Sequence, residues 1–156
     1  MVEERGGVGT VGESLAAQDR FSERYRKESA LLQSARALVD KWKPRLGIEE
    51  WAIDLFVRDA DAAGATDTTH TPYRHAYIAL SQNAGESWDL ETVVVHELCH
   101  VLLAPYVYAV DGLLEILEPA GPLAKHGKKG IRDASEYVTE QATKAFLRAY
   151  QEEHKH

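Results

Sequence analysis

The chain has 156 residues, of which 44 % are hydrophobic and 28 % charged, a composition typical of a soluble globular protein with a single hydrophobic core. Its net charge of −7 argues against a nucleic-acid partner, because binding a phosphate backbone requires a basic surface. The single cysteine, Cys99, excludes an intramolecular disulfide and a cysteine-rich zinc site. We therefore expect a cytoplasmic protein with no membrane partner, since we find neither a signal-peptide core nor a stretch approaching the roughly 20 apolar residues of a membrane span.

The first third of the chain predicts a tail and a long helix. Residues 1–13 are rich in Gly and Glu and are expected to be a disordered N-terminal tail, with 14–156 forming one domain. A helix is predicted from Leu15 to Trp42, ended by the sequence KPRLG. Its apolar residues recur at three- and four-residue steps and predict a stripe that belongs to the core: Phe21, Tyr25, Leu32, Ala35, Val39 and Trp42.

A small sheet is predicted next. Apolar residues alternate with others from Trp51 to Arg58, which indicates a strand with one buried face. The following segment reads as a hairpin, with one arm from Thr66 to His70, TPYR as the turn and the second arm from His75 to Ser81. We expect these three strands to form an antiparallel sheet.

Two further helices complete the prediction. The first is capped by Ser87 or Asp89, carries the stretch VVVHELCHVLL and ends before Pro105. Residues 105–132 are expected to be irregular, with one or two helical turns in DGLLEILE and with EPAGPLAKHGKKG as a loop. A last helix is predicted from Asp133 to about Tyr150. The fold class is therefore α+β: an N-terminal helix, a small antiparallel three-stranded sheet, a buried helix and a C-terminal helix.

The motif HELCH within the buried helix carries the chemistry. His96 and His100 stand four positions apart, so on a helix both imidazoles face one ion, and Zn²⁺ is the expected cofactor. Glu97 follows the first histidine and lies beside the metal, where it can take a proton from the attacking water and pass it to a leaving amine. This is the HExxH pattern of zinc metalloproteases. The alternative is a pair of hydrogen-bonded core histidines in a metal-free domain.

The chain resembles the zincin metallopeptidases, in which an edge strand precedes the HExxH helix, as in YRHAYIALSQNAGESWDLETVVVHELCH. Its W-x-I strand, HELCHVLLAPY helix and late ExV helix are also similar to small zincin-like proteins of phages and prophages, over about residues 35–150. The resemblance implies a minimal zincin-like fold and hydrolysis of peptide bonds. An extended substrate would pair with an edge strand near Ala76–Ser81.

A catalytic zinc site normally has three protein ligands. The extended metzincin pattern is excluded, because Leu103 and Tyr106 occupy its glycine and final histidine positions. The resemblance to gluzincins implies that Glu136, in EYVTEQAT, is the third ligand and that Glu140 orients the site, although gluzincins often carry Asp at the second position.

Other third ligands stay open at this point, and Glu136 itself is also consistent with a first-turn residue of a surface helix. The remaining candidates are acids or a histidine: Glu140, His126, Asp111, Glu115 and Glu118. Cys99 is predicted to be a small buried hydrophobe, and Trp42 and Trp51 are predicted to be core residues.

The predicted function is a zinc-dependent metallopeptidase acting on a protein or peptide substrate. The alternative is a zinc-binding regulatory or interaction module with little or no proteolysis, and a protein partner is compatible with either. A loop at 118–132 that plugged the cleft would favour this second function.

Overall fold

The computed structural model describes residues 11–117 and 121–155 and confirms the α+β class. Its elements are helix α1 (Val11–Leu46), strands β1 (Ala52–Arg58), β2 (Gly64–Asp67) and β3 (His75–Ser81), helix α2 (Leu90–Leu117) and helix α3 (Pro122–Glu153). A 3₁₀ turn, Thr71–Tyr73, separates β2 from β3. Helix α1 already includes residues 11–13, and the rest of the predicted tail lies outside the described residues.

Helix α1 belongs to the core only in its C-terminal half. Ala35, Val39 and Trp42 are fully or almost fully buried and pack on β1 and α2. Phe21 and Tyr25 are 72 % and 68 % exposed, so the prediction that the whole stripe is core was wrong for these two residues. The periodicity predicted the helix correctly, but these two side chains of its apolar stripe remain largely exposed.

The end of α1 is set by Gly47 rather than by Pro44. The helix continues through Pro44 to Leu46, and Gly47 then adopts a left-handed conformation with φ of 68°. The N–H of Ile48 donates to the carbonyl of Lys43 at 3.1 Å and that of Gly47 to the carbonyl of Pro44 at 3.4 Å. These two bonds form a Schellman motif, which requires the positive φ that glycine supplies without steric cost.

The sheet is mixed, with the strand order β1-β3-β2. Strand β2 pairs antiparallel with β3, which confirms a hairpin, although its first arm is Gly64–Asp67 rather than 66–70. Strand β1 pairs parallel with β3, so the predicted antiparallel sheet was wrong for this strand. Strand β3, most of whose side chains are buried, occupies the centre, and β1 and β2 take its two sides. The segment Ala76–Ser81 is therefore not an edge, and the strand beside α2 is β2.

Helices α2 and α3 are longer than predicted and pack against each other. Asp89 caps α2, since its carboxylate accepts the N–H of Thr92 at 2.8 Å. The helix continues through Pro105 because a proline there removes only one backbone donor, while packing on α3 stabilises the turns around it. The prediction of an irregular segment was thus wrong for 105–110 and 122–132. The helical turns expected in DGLLEILE belong to a continuous helix as far as Leu117, and 118–120 lie outside the described residues. Gly127 suits this pairing, because a Cβ there would stand 2.7 Å from Leu114 Cδ1.

Helix α2 is the central element of the core. Over Leu90–Ile116 it is long and apolar enough, by length and composition alone, to cross a membrane, so the expectation that no segment reaches this threshold was wrong. Its apolar character has an explanation within the fold, because the sheet and α1 pack on one side of the helix and α3 packs on another. The residues around the HExxH motif are accordingly buried: Val94, Val95, Leu98, Cys99 and Val101.

Candidate metal centre

Two imidazoles and one carboxylate converge where α2 meets α3. His96 and His100 lie one turn apart on α2, with ring centroids 5.0 Å apart and ring planes at 79°. The Nε2 atoms of His96 and His100 stand 3.8 and 3.6 Å from the carboxylate oxygens of Glu136 on α3. The three potential ligand atoms all lie within 4.8 Å of one another. Residues 40 positions apart in the sequence are thus brought to a single point.

These spacings fit a metal better than direct contacts. The separations between Glu136 and the imidazoles are too long for hydrogen bonds, which prefer about 2.7–3.2 Å. Tetrahedral zinc with ligands at about 2.0–2.1 Å would separate its ligand atoms by about 3.3 Å, somewhat closer than the 4.8 Å within which the three ligand atoms lie here. Two histidines and one carboxylate are also a usual donor set of catalytic zinc sites. The residues present therefore fit Zn²⁺.

A buried threonine of α3 lies behind His100. Thr139 is fully buried, and its hydroxyl stands 3.4 Å from Nδ1 of His100, the ring nitrogen that faces away from Glu136. Thr143, one turn further on, donates its hydroxyl to the carbonyl of Thr139 at 2.8 Å. Burial lowers the pKa of His100, and the carboxylate of Glu136 offsets part of this effect. The lowered pKa favours the neutral imidazole that a metal requires. Thr139 therefore stands where an orienting partner of a metal-bound histidine is expected.

Glu97 is almost completely buried and packs against strand β2. The residue is 4 % exposed, and its Oε2 accepts a hydrogen bond of 2.6 Å from the hydroxyl of Thr66. A Cβ on Gly64 would stand 2.6 Å from Glu97 Oε1, so only glycine leaves room for the carboxyl group in this position. Burial raises the pKa of Glu97 to about 7, and the negative charge of Glu136 adds to this, while the bond from Thr66 acts in the opposite direction.

The candidate ligands and Glu97 line an open cleft of about 550 Å³ between β2, α2 and α3. Strand β2 forms one wall through Gly64 and Thr66, and the floor is the face of α2 that carries the motif. Lys128 and Arg132 belong to the opposite wall, formed by α3. Residues 122–132 are therefore helix rather than a loop, and Lys128 and Arg132 border the cleft.

The other predicted ligands do not join the group. Glu140 is exposed and pairs with Lys144 at 2.5 Å, and Glu115 pairs with Lys128 at 2.6 Å. His126 is exposed on α3, and Asp111 lines the cleft three turns along α2 from His100. Glu118 lies outside the described residues. Among the candidates that the structure describes, the geometry favours Glu136, and Cys99 is a fully buried thiol as predicted.

Three residues of the site were missed in the sequence. Gly64 and Thr66 belong to a short strand whose Gly and Asp residues dilute the alternating pattern of a strand. Thr139 follows Glu136 by three positions, so helical spacing alone places the two residues on neighbouring parts of one face. The spacing Glu-x-x-Thr in the last helix could have indicated Thr139. No local sequence pattern indicates that β2 contacts Glu97.

No protein-family model matches the chain, and neither a curated protein nor a solved structure is significantly similar to it. The resemblance to zincins therefore stays a prediction from the HExxH motif, because the strand that directly precedes α2 is the centre of the sheet and not its edge.

Proposed function

We propose that this protein is a zinc-dependent metallopeptidase. His96, His100 and Glu136 would hold Zn²⁺, and Glu97 would act as general acid/base. The observation that carries the proposal is the convergence of the three ligand atoms within 4.8 Å of one another, in a cleft that also contains Glu97 and a free strand edge. An ordinary structural pair of core histidines would require neither the carboxylate nor the cleft.

The residues of the cleft would have separate roles in hydrolysis. Zinc, when bound, supplies a Lewis acid that activates water and polarises the peptide carbonyl. Glu97 follows the proposed ligand His96 directly in the sequence, and both residues line the same cleft. Its carboxylate would therefore lie beside the metal. It takes the proton of the attacking water and transfers it to the nitrogen of the leaving amine. Thr139 holds the orientation of His100 through Nδ1.

An extended peptide can pair with the outer edge of β2. The N–H of Ser81 donates to the carbonyl of Ala63 at 2.9 Å, so hydrogen-bonded pairing with β3 falls on alternate residues counted from Ala63. Gly64 and Thr66, between those positions, turn their backbone N–H and C=O groups towards the outer edge. These groups supply main-chain hydrogen bonds to a substrate, while side-chain pockets would supply specificity.

The decisive experiment separates metal binding from turnover. Wild type, Glu97→Gln and the matched control Glu140→Gln are purified, their zinc content is measured, and each is incubated with a degenerate fluorescence-quenched peptide library. We expect near-stoichiometric zinc in all three proteins, cleavage by wild type and control, and a loss of about 10²- to 10⁴-fold in rate for Glu97→Gln. A Glu97→Gln variant with the wild-type rate would refute the mechanism.

The shortness of β2 favours a second candidate, a zinc-binding interaction module with little proteolysis. The strand has four residues, of which two face outward, so it offers few main-chain bonds to a substrate. Full zinc content without cleavage of any library member would support this candidate. Absence of zinc even after reloading would reject both.

A further inference from the structure

We propose that Thr66 is a positioning residue for Glu97, and that strand β2 thereby both receives the substrate and orients the general base. This inference rests on the proposed function and adds to it a coupling between substrate pairing and the catalytic carboxylate. It follows from the contacts of one short strand with one buried side chain.

The first contact is the hydrogen bond from the Thr66 hydroxyl to Glu97 Oε2, at 2.6 Å. In the described part of the chain, this is the one side-chain hydrogen bond that the Glu97 carboxylate accepts. A carboxylate that is 4 % exposed has little water available to replace such a donor. The bond therefore fixes the carboxylate through one of its two oxygens.

The second contact is steric and involves Gly64. A Cβ at this position would stand 2.6 Å from Oε1 and 2.9 Å from Cδ and Cγ of Glu97, all within the distance at which something must move. The absence of a side chain at Gly64 therefore creates the space that Oε1 occupies. Gly64 and Thr66 thus contact the two oxygens of the carboxyl group from the same face of β2.

The same two residues carry the outward-facing backbone groups of β2. Residues two apart on a strand share a face, and on this face the Thr66 side chain bonds to Glu97 while the lack of a side chain at Gly64 leaves room for it. A peptide paired at this edge consequently bonds to the backbone of the residues that position the base. Loss of the Thr66 hydroxyl should impair the chemical step much more than substrate binding, since it leaves the outer backbone edge unchanged.

The test compares Thr66→Val, Thr66→Ser and Gly64→Ala with the matched control Thr69→Val, an exposed threonine on the following turn. Each protein is checked for cooperative unfolding and zinc content before kinetics. We expect Thr66→Val to lower kcat by about tenfold to hundredfold with KM within about twofold of wild type, because a hydrogen bond to a charged group is lost. Thr66→Ser should recover most of kcat, Gly64→Ala should lower it, and Thr69→Val should match wild type. A wild-type kcat in Thr66→Val, or a change in KM alone, would overturn the proposal.

Crystal structures of zinc-loaded wild type, Thr66→Val and Thr66→Ser provide a readout that is independent of turnover. We expect the Glu97 carboxylate to rotate away from its position in Thr66→Val and to keep that position in Thr66→Ser. An unchanged Glu97 in Thr66→Val would refute the positioning role even if no peptide substrate were found. Conversely, a rotated Glu97 together with an inactive wild type would reject the peptidase function and leave the positioning role intact. If Thr66→Val does not fold, Thr66→Ala gives the same decision, because it also removes the hydroxyl that donates to Glu97 Oε2.

Discussion

Zinc binding should stabilise the folded protein, and Glu136 should be required for most of that effect. A ligand that binds only the native state stabilises it by about 2.7 kcal/mol when its free concentration is 100 times its Kd. For a domain of about 150 residues, 1 kcal/mol corresponds to roughly 2–4 °C, so saturating zinc should raise Tm by about 5–10 °C. His96 and His100 belong to one helix, and Glu136 is the group that joins this pair to α3. Without it, the remaining two ligands no longer link the two helices, and the gain in Tm should largely disappear.

The assay is differential scanning calorimetry of wild type, Glu136→Ala and Glu140→Ala, each with chelator and across a zinc titration. The side chain of Glu136 is 59 % exposed, so its removal should change the metal-free Tm very little. Glu140→Ala is the matched control, because Glu140 lies one turn further along α3 and pairs with Lys144. A wild-type Tm that does not depend on zinc would refute the metal site. An equal loss of zinc response in both variants would refute the assignment of Glu136 as the ligand.

Two further predictions concern the core. Trp42 is 1 % exposed and donates its indole N–H to Glu91 at 2.7 Å. Trp42→Ala should therefore lower the free energy of unfolding, measured with denaturant, by about 3–5 kcal/mol. Phe21 is 72 % exposed, so Phe21→Ala should change it by less than about 0.5 kcal/mol. Similar costs at the two positions would contradict the placement of α1. Burial raises the pKa of the Cys99 thiol, so the group stays protonated at neutral pH, and labelling by a thiol reagent should be slow in the native protein and fast in denaturant. Rapid native labelling would contradict its burial.

The elements that sequence periodicity predicted well are those whose signals are local. The i, i+4 spacing of His96 and His100 needs only a helix to place both imidazoles on one face, and Asp89 caps that helix as expected. The alternation from Trp51 onward gives the buried face of β1 for the same reason. In each case, the residues that form the pattern lie within a few positions of one another in the sequence.

Helix ends and strand order were predicted less well because they depend on packing between distant segments. Pro105 and the glycines of KHGKKG are unfavourable in isolated helices, but α2 and α3 pack along each other and overcome these local preferences. The pairing of β1 with β3 joins segments separated by the whole hairpin arm β2, and both pairing directions are compatible with an alternating pattern. The direction of this pairing is a property of the assembled sheet that no local pattern carries.

The choice between Glu136 and Glu140 illustrates the same limit at the site itself. Both carboxylates lie on one face of α3, and an α-helix places them about 6 Å apart along its axis. Which of them meets the histidines depends on the axial position of α3 against α2, a property of the pair of helices. That position is set by contacts on the buried side of α3, where Gly127 fits beside Leu114 and Thr139 reaches His100. With Thr139 opposite His100, the preceding turn carries Glu136 to the two imidazoles, and Glu140 turns outward to Lys144.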